Sequence, residues 1–513
     1  MLTDAAGASN VNATHPDFGD LRARLHEPPS RTNWDALCAL IDAALEHDPR
    51  QVYEVWLPYA LPQLSRWPAR FRLAPEHWIA RWERDNFCPE LMLCASFGVG
   101  NKADARTLSQ LAEPGQLRHL EVNTRATAPR IVWQLLADPA ASKLEYLYLY
   151  QRNASIFDRV RKSWVWDREA TARLFDEGNA QTLRGLSLDL QEIDAGGVHA
   201  LLVHPRMKNL RQLKLRSNIL ESLDHALRTL PTPEHLSNLE ELAIPQAKLG
   251  AEACAMLARV PWRQHIKELV LERNPLGDES LAALLAHDAL AQVGSLRLSY
   301  TEAGTSAVTA LASRARPRLW CLELDGSKLD IAAMMSMRNG EFPSLKRLSL
   351  GSASIETASF LLAAPWVKQL ERLDLHSLRI GDVGVRNLID SGNEKLELLS
   401  LAQNALGDDA IAHLDEAPWA RSLKTLSLAR NGLSDEGVLP MLRGKWPALR
   451  QLDLSGNVLS MRSLEALLDG GFPSLEVIDI TDMLLTPGLE RTLLESEHLP
   501  KLREVRSFGI AIG

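Results

Sequence analysis

Hydrophobic residues recur along the chain in one short pattern, L-x-x-L-x-L, with Ile or Val substituting. It begins at Leu117, Leu144, Leu183, Leu210, Leu239, Ile266, Val293, Leu319, Leu345, Leu370, Leu396, Leu423, Leu449, Leu475 and, in degenerate form, Leu502. Successive starts lie 25–29 residues apart, except for one step of 39. Alternation in x-L-x-L is the period of a strand, with one face turned to a core and the other away from it. Ten residues after most starts another Leu or Ile recurs. Eight residues after five of them stands an asparagine: Asn218, Asn274, Asn404, Asn431 and Asn457. A buried Asn amide bonds backbone groups where the chain leaves a strand. The rest of each unit has the three-to-four spacing of a helix, as in GDESLAALLAHD after Leu276. The pattern predicts stacked strand–turn–helix units that share one core.

Units of 26–27 residues with a full helix resemble leucine-rich repeats of the ribonuclease-inhibitor type. The family's Leu-Gly-Asp-Glu helix start is visible at Leu276, Gly277, Asp278 and Glu279, and again at Leu406, Gly407 and Asp408. The resemblance covers about residues 117–507. It implies an α/β solenoid, a horseshoe with parallel strands on the concave face and helices outside. Fifteen strands at ~4.8 Å would give an inner arc of about 70 Å. Three units carry Pro-Trp before the next start (Trp262, Trp366, Trp419), and three carry an aromatic followed by Pro (Phe342, Trp446, Phe472). Recurrence at one register predicts rings that plug the return from helix to strand.

The organisation expected is a flexible tail over 1–32, a helical N-terminal cap over 33–112 and a solenoid of about 15 repeats over 113–513. In the cap, WDALCALIDAALEHDP places Leu37, Leu40, Ile41 and Leu45 on one helical face. Within it, Arg50, Val52, Tyr53, Trp56 and Leu57 resemble the Pro-Arg-x-Val-Tyr-x-x-Trp-Leu core of a small domain that accompanies leucine-rich repeats in bacterial proteins. That resemblance implies a bacterial protein and no catalysis. The 39-residue step predicts a rim insertion near 151–168 that carries Trp164 and Trp166; long loops on one rim often serve binding.

Charge and composition then narrow the function. Lys plus Arg number 57 against 65 Asp plus Glu, a net −8. With no basic excess, no nucleic-acid partner is expected. No apolar run of 18 residues and no secretory signal occurs, so neither a membrane partner nor a membrane span is expected. Five scattered cysteines suit reduced thiols in a cytoplasm. The sequence holds no phosphate loop, zinc-ligand spacing or nucleophile motif, so no cofactor, metal or small-molecule substrate is expected.

The third, fifth and seventh positions of each motif should line the concave face, where 11 are acidic and 6 basic. Tyr146, Tyr148 and Tyr150 form an aromatic ladder there, and Glu268, Glu272, Glu323, Asp325, Asp374 and His376 follow. With Trp164 and Trp166, these are the candidate partner-binding residues, since tyrosine is enriched at interfaces. The expected function is a non-catalytic scaffold that recognises a protein. The alternatives are an effector of repeat type, exported without a cleavable signal, or an enzyme that uses the Asp374–His376 pair.

Overall fold

The computed structural model describes residues 17–64, 66–67, 72, 94–97, 117–123, 133, 136–137, 139–150, 166–177, 182–189, 193–216, 233–262, 266–352, 358–469, 471–482 and 489–507. The chain forms two compact units, 1–190 and 191–513.

The first unit opens with helices. Phe18–His26 is closed by a capping box in which Asp17 and Asp20 bond each other's backbone. This corrects the expectation of a tail over 1–32: residues 18–26 are a capped helix that buries Leu21 and Leu25. Arg31–His47 follows, capped by Ser30, with Trp34, Leu37, Cys38, Ile41 and Leu45 buried. Val52–Trp56 is a single π-helical turn that leads into the helix Leu57–Leu64. Val52, Trp56 and Leu57 of the short resemblance are buried.

Four parallel strands complete this unit: β1 (Cys94–Phe97), β2 (His119–Asn123), β3 (Tyr146–Tyr150) and β4 (Gly185–Asp189), paired in sequence order. β1 lies inside the stretch expected to be all helical, one unit before the first motif. Its register, Cys94 opposite His119, sets Ala95 and Phe97 at positions where the motif has leucine.

Among the described residues the second unit holds twelve strands: β5 (Gln212–Arg216), β6 (Glu241–Ala243), β7 (Glu268–Val270), β8 (Ser295–Arg297), β9 (Cys321–Glu323), β10 (Arg347–Ser349), β11 (Arg372–Asp374), β12 (Leu398–Ser400), β13 (Thr425–Ser427), β14 (Gln451–Asp453), β15 (Val477–Asp479) and β16 (Glu504–Arg506). Each pairs in parallel with the next. This is the α/β leucine-rich solenoid that the motif predicts. The motif leucines from Leu242 to Ile478 are buried to 3% exposure or less, and backbone bonds carry the ladder past the strand ends, as from Leu298 N to Glu323 O. Outer segments alternate with the strands, though not all are full α-helices. After β10 comes the 3-10 turn Ala358–Ala363, and after β12 a four-residue helix, Asp408–Ile411, then the 3-10 turn Leu414–Glu416; each leads to a Pro-Trp return whose proline breaks helical continuation.

Two ladders hold successive repeats together. Asn274, Asn404, Asn431 and Asn457 are buried at the strand exits. Each amide donates to carbonyls of its own and the preceding repeat and accepts backbone N–H groups from the preceding one, as in Ala247 N to Asn274 Oδ1 at 2.8 Å. At the opposite end, Trp366, Trp419, Trp446, Phe342 and Phe472 fill the helix-to-strand return, at 5% exposure or less. Each ring is the large apolar payload that closes the gap between neighbouring turns.

Candidate functional site

Because the leucines of each strand face the core, the intervening positions form an open face, and register sets what meets there. In the first unit β3 brings three tyrosines to one row. Tyr146 stacks on His119 of β2 at 6.0 Å, and Tyr148 lies 5.0 Å from Tyr150. Tyr148 and Tyr146 are half-buried, and the Tyr148 hydroxyl donates to Asp189 of β4 at 3.4 Å. Tyr150 is only 7% exposed. The expected three-ring binding ladder is therefore reduced to Tyr146 and Tyr148; Tyr150 is a packing residue.

Trp166 departs further from expectation. It is fully buried, its indole N–H donates to Thr171 Oγ1 at 3.1 Å, and its ring lies 5.8 Å from Trp133. Asp167 caps the helix Arg168–Ala172, so Trp166 immediately precedes the cap and its indole N–H is tied to Thr171 on the first turn. The Trp-Asp-x-x-x-Thr spacing carries this signal in the sequence. Trp166 is thus withdrawn as a rim-exposed binding residue. Trp164 and the insertion before it lie outside the described residues.

In the second unit, Glu268, Glu272, Glu323, Asp325, Asp374 and His376 are all half-buried on the open face of β7 to β11 and the residues just after them. Glu268, Glu272 and Glu323 meet around Arg297 of β8, which no single strand shows. Reading the fifth motif position across repeats reveals it, since Arg297 stands opposite Glu323. Its Nε lies 3.6 Å from Glu323 Oε1 and 3.9 Å from Glu268 Oε1, and it has no hydrogen-bond partner there. Burial, with the Glu323 carboxylate next, holds the Glu272 carboxyl above its usual range, against the pull of Arg297. Burial lowers Arg297, but the surrounding carboxylates, Glu323 first, raise it overall. Asp325 accepts from Ser299 Oγ at 2.8 Å, from Gly351 N at 2.6 Å and from the Ser349 hydroxyl.

Asp374 and His376 do pair. His376 Nδ1 lies 2.9 Å from Asp374 Oδ1, which also accepts the His376 backbone N–H at 3.1 Å. The His376 ring lies where a Cβ on residue 351 would sit, 1.8 Å from its Cε1, so Gly351 makes the place for it. The hydrogen bond to Asp374 raises the His376 pKa against burial. Burial would raise Asp374, but its bonds from His376 lower it overall. The histidine's contribution to stability is complete below the ordinary imidazole pKa and lost as pH rises through the raised one. The aspartate's is complete above the ordinary carboxyl pKa and lost as pH falls through the lowered one. The pair therefore stabilises most between those limits. We expect the His376 ring Cε1–H NMR titration to move to lower pH in Asp374→Asn; an unmoved midpoint would refute the pairing. No nucleophile shares a contact with this imidazole among the described contacts. Among the described residues no group of three His, Cys, Asp or Glu side chains is placed to hold a metal ion.

Two exposed aromatics flank the acidic centre, and neither figured among the expected binding residues. Trp320, 37% exposed, stands at the second motif position. Elsewhere from residue 240 to residue 503 that rim is a row of ion pairs: Glu240–Lys267, Lys346–Glu371, Glu397–Lys424 and Glu476 with Arg450 and Arg503. Gly294 interrupts the row, and the Trp320 indole crosses it, 3.2 Å from where a Cβ on residue 294 would stand. The Arg347 guanidinium lies over the indole at 5.2 Å. On the other rim, Tyr300 is 42% exposed and lies in the left-handed region at φ 57, with Arg273 over its ring at 4.8 Å. Gly326 gives the ring its bed: a Cβ there would be 2.4 Å from Tyr300 Cδ1.

The family model described as Leucine Rich repeat matches residues 264–285 and 420–442. None of the curated proteins matches the chain. Among solved structures, the chain is similar at 18% identity to one titled the Rad7 and Elc1 complex in yeast, covering 66% of this chain and 83% of that one, with a TM-score of 0.45. It is also 18% identical to an internalin, inlF, from Listeria monocytogenes, covering 64% and 81%, with a TM-score of 0.41. Among the described residues no helix is long and apolar enough to cross a membrane.

Proposed function

We propose that this chain, a leucine-rich repeat protein, is a non-catalytic scaffold that recognises a partner protein through the open face of its strands, with the insertion near 151–168 as a second contact. The observation that carries this reading is the register of the second unit. Its strands pair in parallel one after another, so every repeat adds three aligned side chains to one continuous face. Such a face supplies the area that a protein interface needs, roughly 800 Å² per partner. Charged, aromatic and hydroxyl groups stand on it in fixed positions, the arrangement that confers specificity. The Asp374–His376 pair is assigned to this polar face and not to catalysis. A cytoplasmic setting fits the buried free thiols of Cys38 and Cys321.

The test is capture from the native cell, with the whole chain as bait. Tyr146→Ala with Tyr148→Ala should weaken a captured partner's binding by about 2 kcal/mol, ~30-fold, as truncation of interface tyrosines does. The melting temperature should fall little, because both rings are half-exposed. A capture profile unchanged by this variant and by open-face substitutions in the second unit would sink the scaffold reading. Tyr150→Ala serves as the contrast, since its ring is buried and its loss should destabilise the first unit.

A further inference from the structure

Resting on the scaffold reading, we propose that the open face of the second unit from Glu268 to His376, between Trp320 on one rim and Tyr300 on the other, is the docking surface for an extended partner segment that carries lysine or arginine at about every third residue. Glu268, Glu272 and Glu323, with Asp325 beside Glu272, share a single guanidinium, Arg297, whose ion-pair distances to Glu323 and Glu268, 3.6 and 3.9 Å, fall outside hydrogen-bond range. The centre thus holds surplus negative charge in partly buried surroundings, where an incoming cation interacts more strongly than at an open surface. Arg297 Nε is buried and makes no hydrogen bond among the described residues, so it takes up none of this charge by direct bonding.

The spacing is set by the repeats. Glu272 follows β7, Glu323 and Asp325 belong to the β9 repeat, and Asp374 ends β11, so the acids stand on alternate strands. Between them come the cations Arg297 on β8 and Arg347 on β10. Strands lie ~4.8 Å apart, so acids recur every ~9.6 Å along a line across the sheet. A segment in the polyproline II conformation rises about 9 Å per three-residue turn, so every third side chain returns to the same face at that spacing. The rims supply the apolar anchors. Among the described side chains Trp320 and Tyr300 are the exposed aromatics of these repeats, each with an arginine already over its ring, so little side-chain freedom is lost on contact. Aromatic and arginine anchors around a charged centre are the composition of interface hot spots.

A display selection of random twelve-residue peptides on the whole chain tests this. Enriched peptides should carry basic residues about three apart. Their binding should weaken at least tenfold in the variant Glu272→Gln, Glu323→Gln, Asp325→Asn, and weaken again on raising salt. Asp453→Asn with Asp479→Asn, acids on the same sheet but beyond the proposed surface, should leave it unchanged. Trp320→Ala is the second probe, since its ring is at the surface and its loss leaves the core intact; it too should weaken binding. Enrichment of peptides without basic spacing, equal loss in the Asp453 and Asp479 variant, or no enrichment would overturn the proposal. The scaffold reading falls separately, on an unchanged capture profile, so the two failures are distinguishable.

Discussion

Replacing Asn431 by alanine should cost the second unit about 3–5 kcal/mol, which places it among the most damaging single substitutions outside the leucine core. Asn431 is the middle rung of the strand-exit ladder. Its amide donates to Leu401 O and Leu428 O, both at 2.9 Å, and its Oδ1 accepts Asn404 N at 2.7 Å and Leu406 N at 3.4 Å. Alanine removes these bonds together. The freed backbone groups lie in a dry interior, so each keeps its full desolvation cost. The damage also falls on a junction. Repeat proteins gain stability from the contact of each unit with its neighbours, so a broken rung weakens coupling on both sides. Urea unfolding followed by tryptophan fluorescence would show a lower midpoint. Thr425→Ala, on the open face of the same repeat, should shift it by no more than ~0.5 kcal/mol. If the Asn431 and Thr425 variants unfold alike, the ladder does not stabilise the stack.

The ladder was legible in sequence because asparagine recurs at one offset, and the strands were legible because leucine does. What the sequence hid is instructive. β1 escaped the pattern because the sequence has Ala95 and Phe97 at two leucine positions of the motif, and an alanine in the middle erases the alternation. Pairing to β2 restores that strand, and pairing is a property of two segments. Tyr150 looked equivalent to Tyr146 and Tyr148 because all three share a strand parity. Parity fixes direction and says nothing about what lies over the strand end, so its burial at 7% exposure was invisible. Trp166 could have been placed: an aromatic immediately before an Asp cap, with Thr171 on the first turn to accept its indole N–H, belongs to the helix entry, but the length of the 39-residue step drew it into the loop.

The acidic residues of the open face were legible singly. Their meeting around Arg297 was not, because the contacts run between repeats about 26 residues apart. Aligning the repeats and reading down one column gives that arrangement, and the same exercise picks out Trp320 at a column otherwise filled by ion pairs. The comparison also explains why an acid–base pair such as Asp374 and His376 is a poor catalytic signal in this architecture. Strand periodicity alone brings positions five and seven together in every repeat, with no demand from chemistry.

Column reading exposes one more position, and it yields a second large effect. Three residues before the next motif stand Phe342, Trp446 and Phe472, the rings that plug the return. At the same offset in two other repeats stand Asn393 and Arg316. Asn393 meets the same need through polar bonds, to Val367 O and Leu370 O at 2.8 and 2.9 Å. Arg316 is entirely buried and has no carboxylate partner; its guanidinium instead donates to Leu311 O at 3.0 Å and to Leu290 O and Leu285 O at 2.7 Å each. Burial, helped by Arg314, lowers its pKa to about 10, so it stays charged at neutral pH and three carbonyl dipoles carry that charge. Arg316→Ala should therefore lose about 4 kcal/mol, from three orphaned carbonyls and a cavity in the packed return. Arg316→Lys discriminates between the causes. It keeps the charge and most of the volume but has one point donor where the fork reached three diverging acceptors, so it should lose roughly half as much. Equilibrium unfolding of the three proteins would decide it. A lysine variant as stable as the native chain would mean that charge alone fills the return, and an alanine variant within ~1 kcal/mol of it would mean that the guanidinium bonds contribute nothing net.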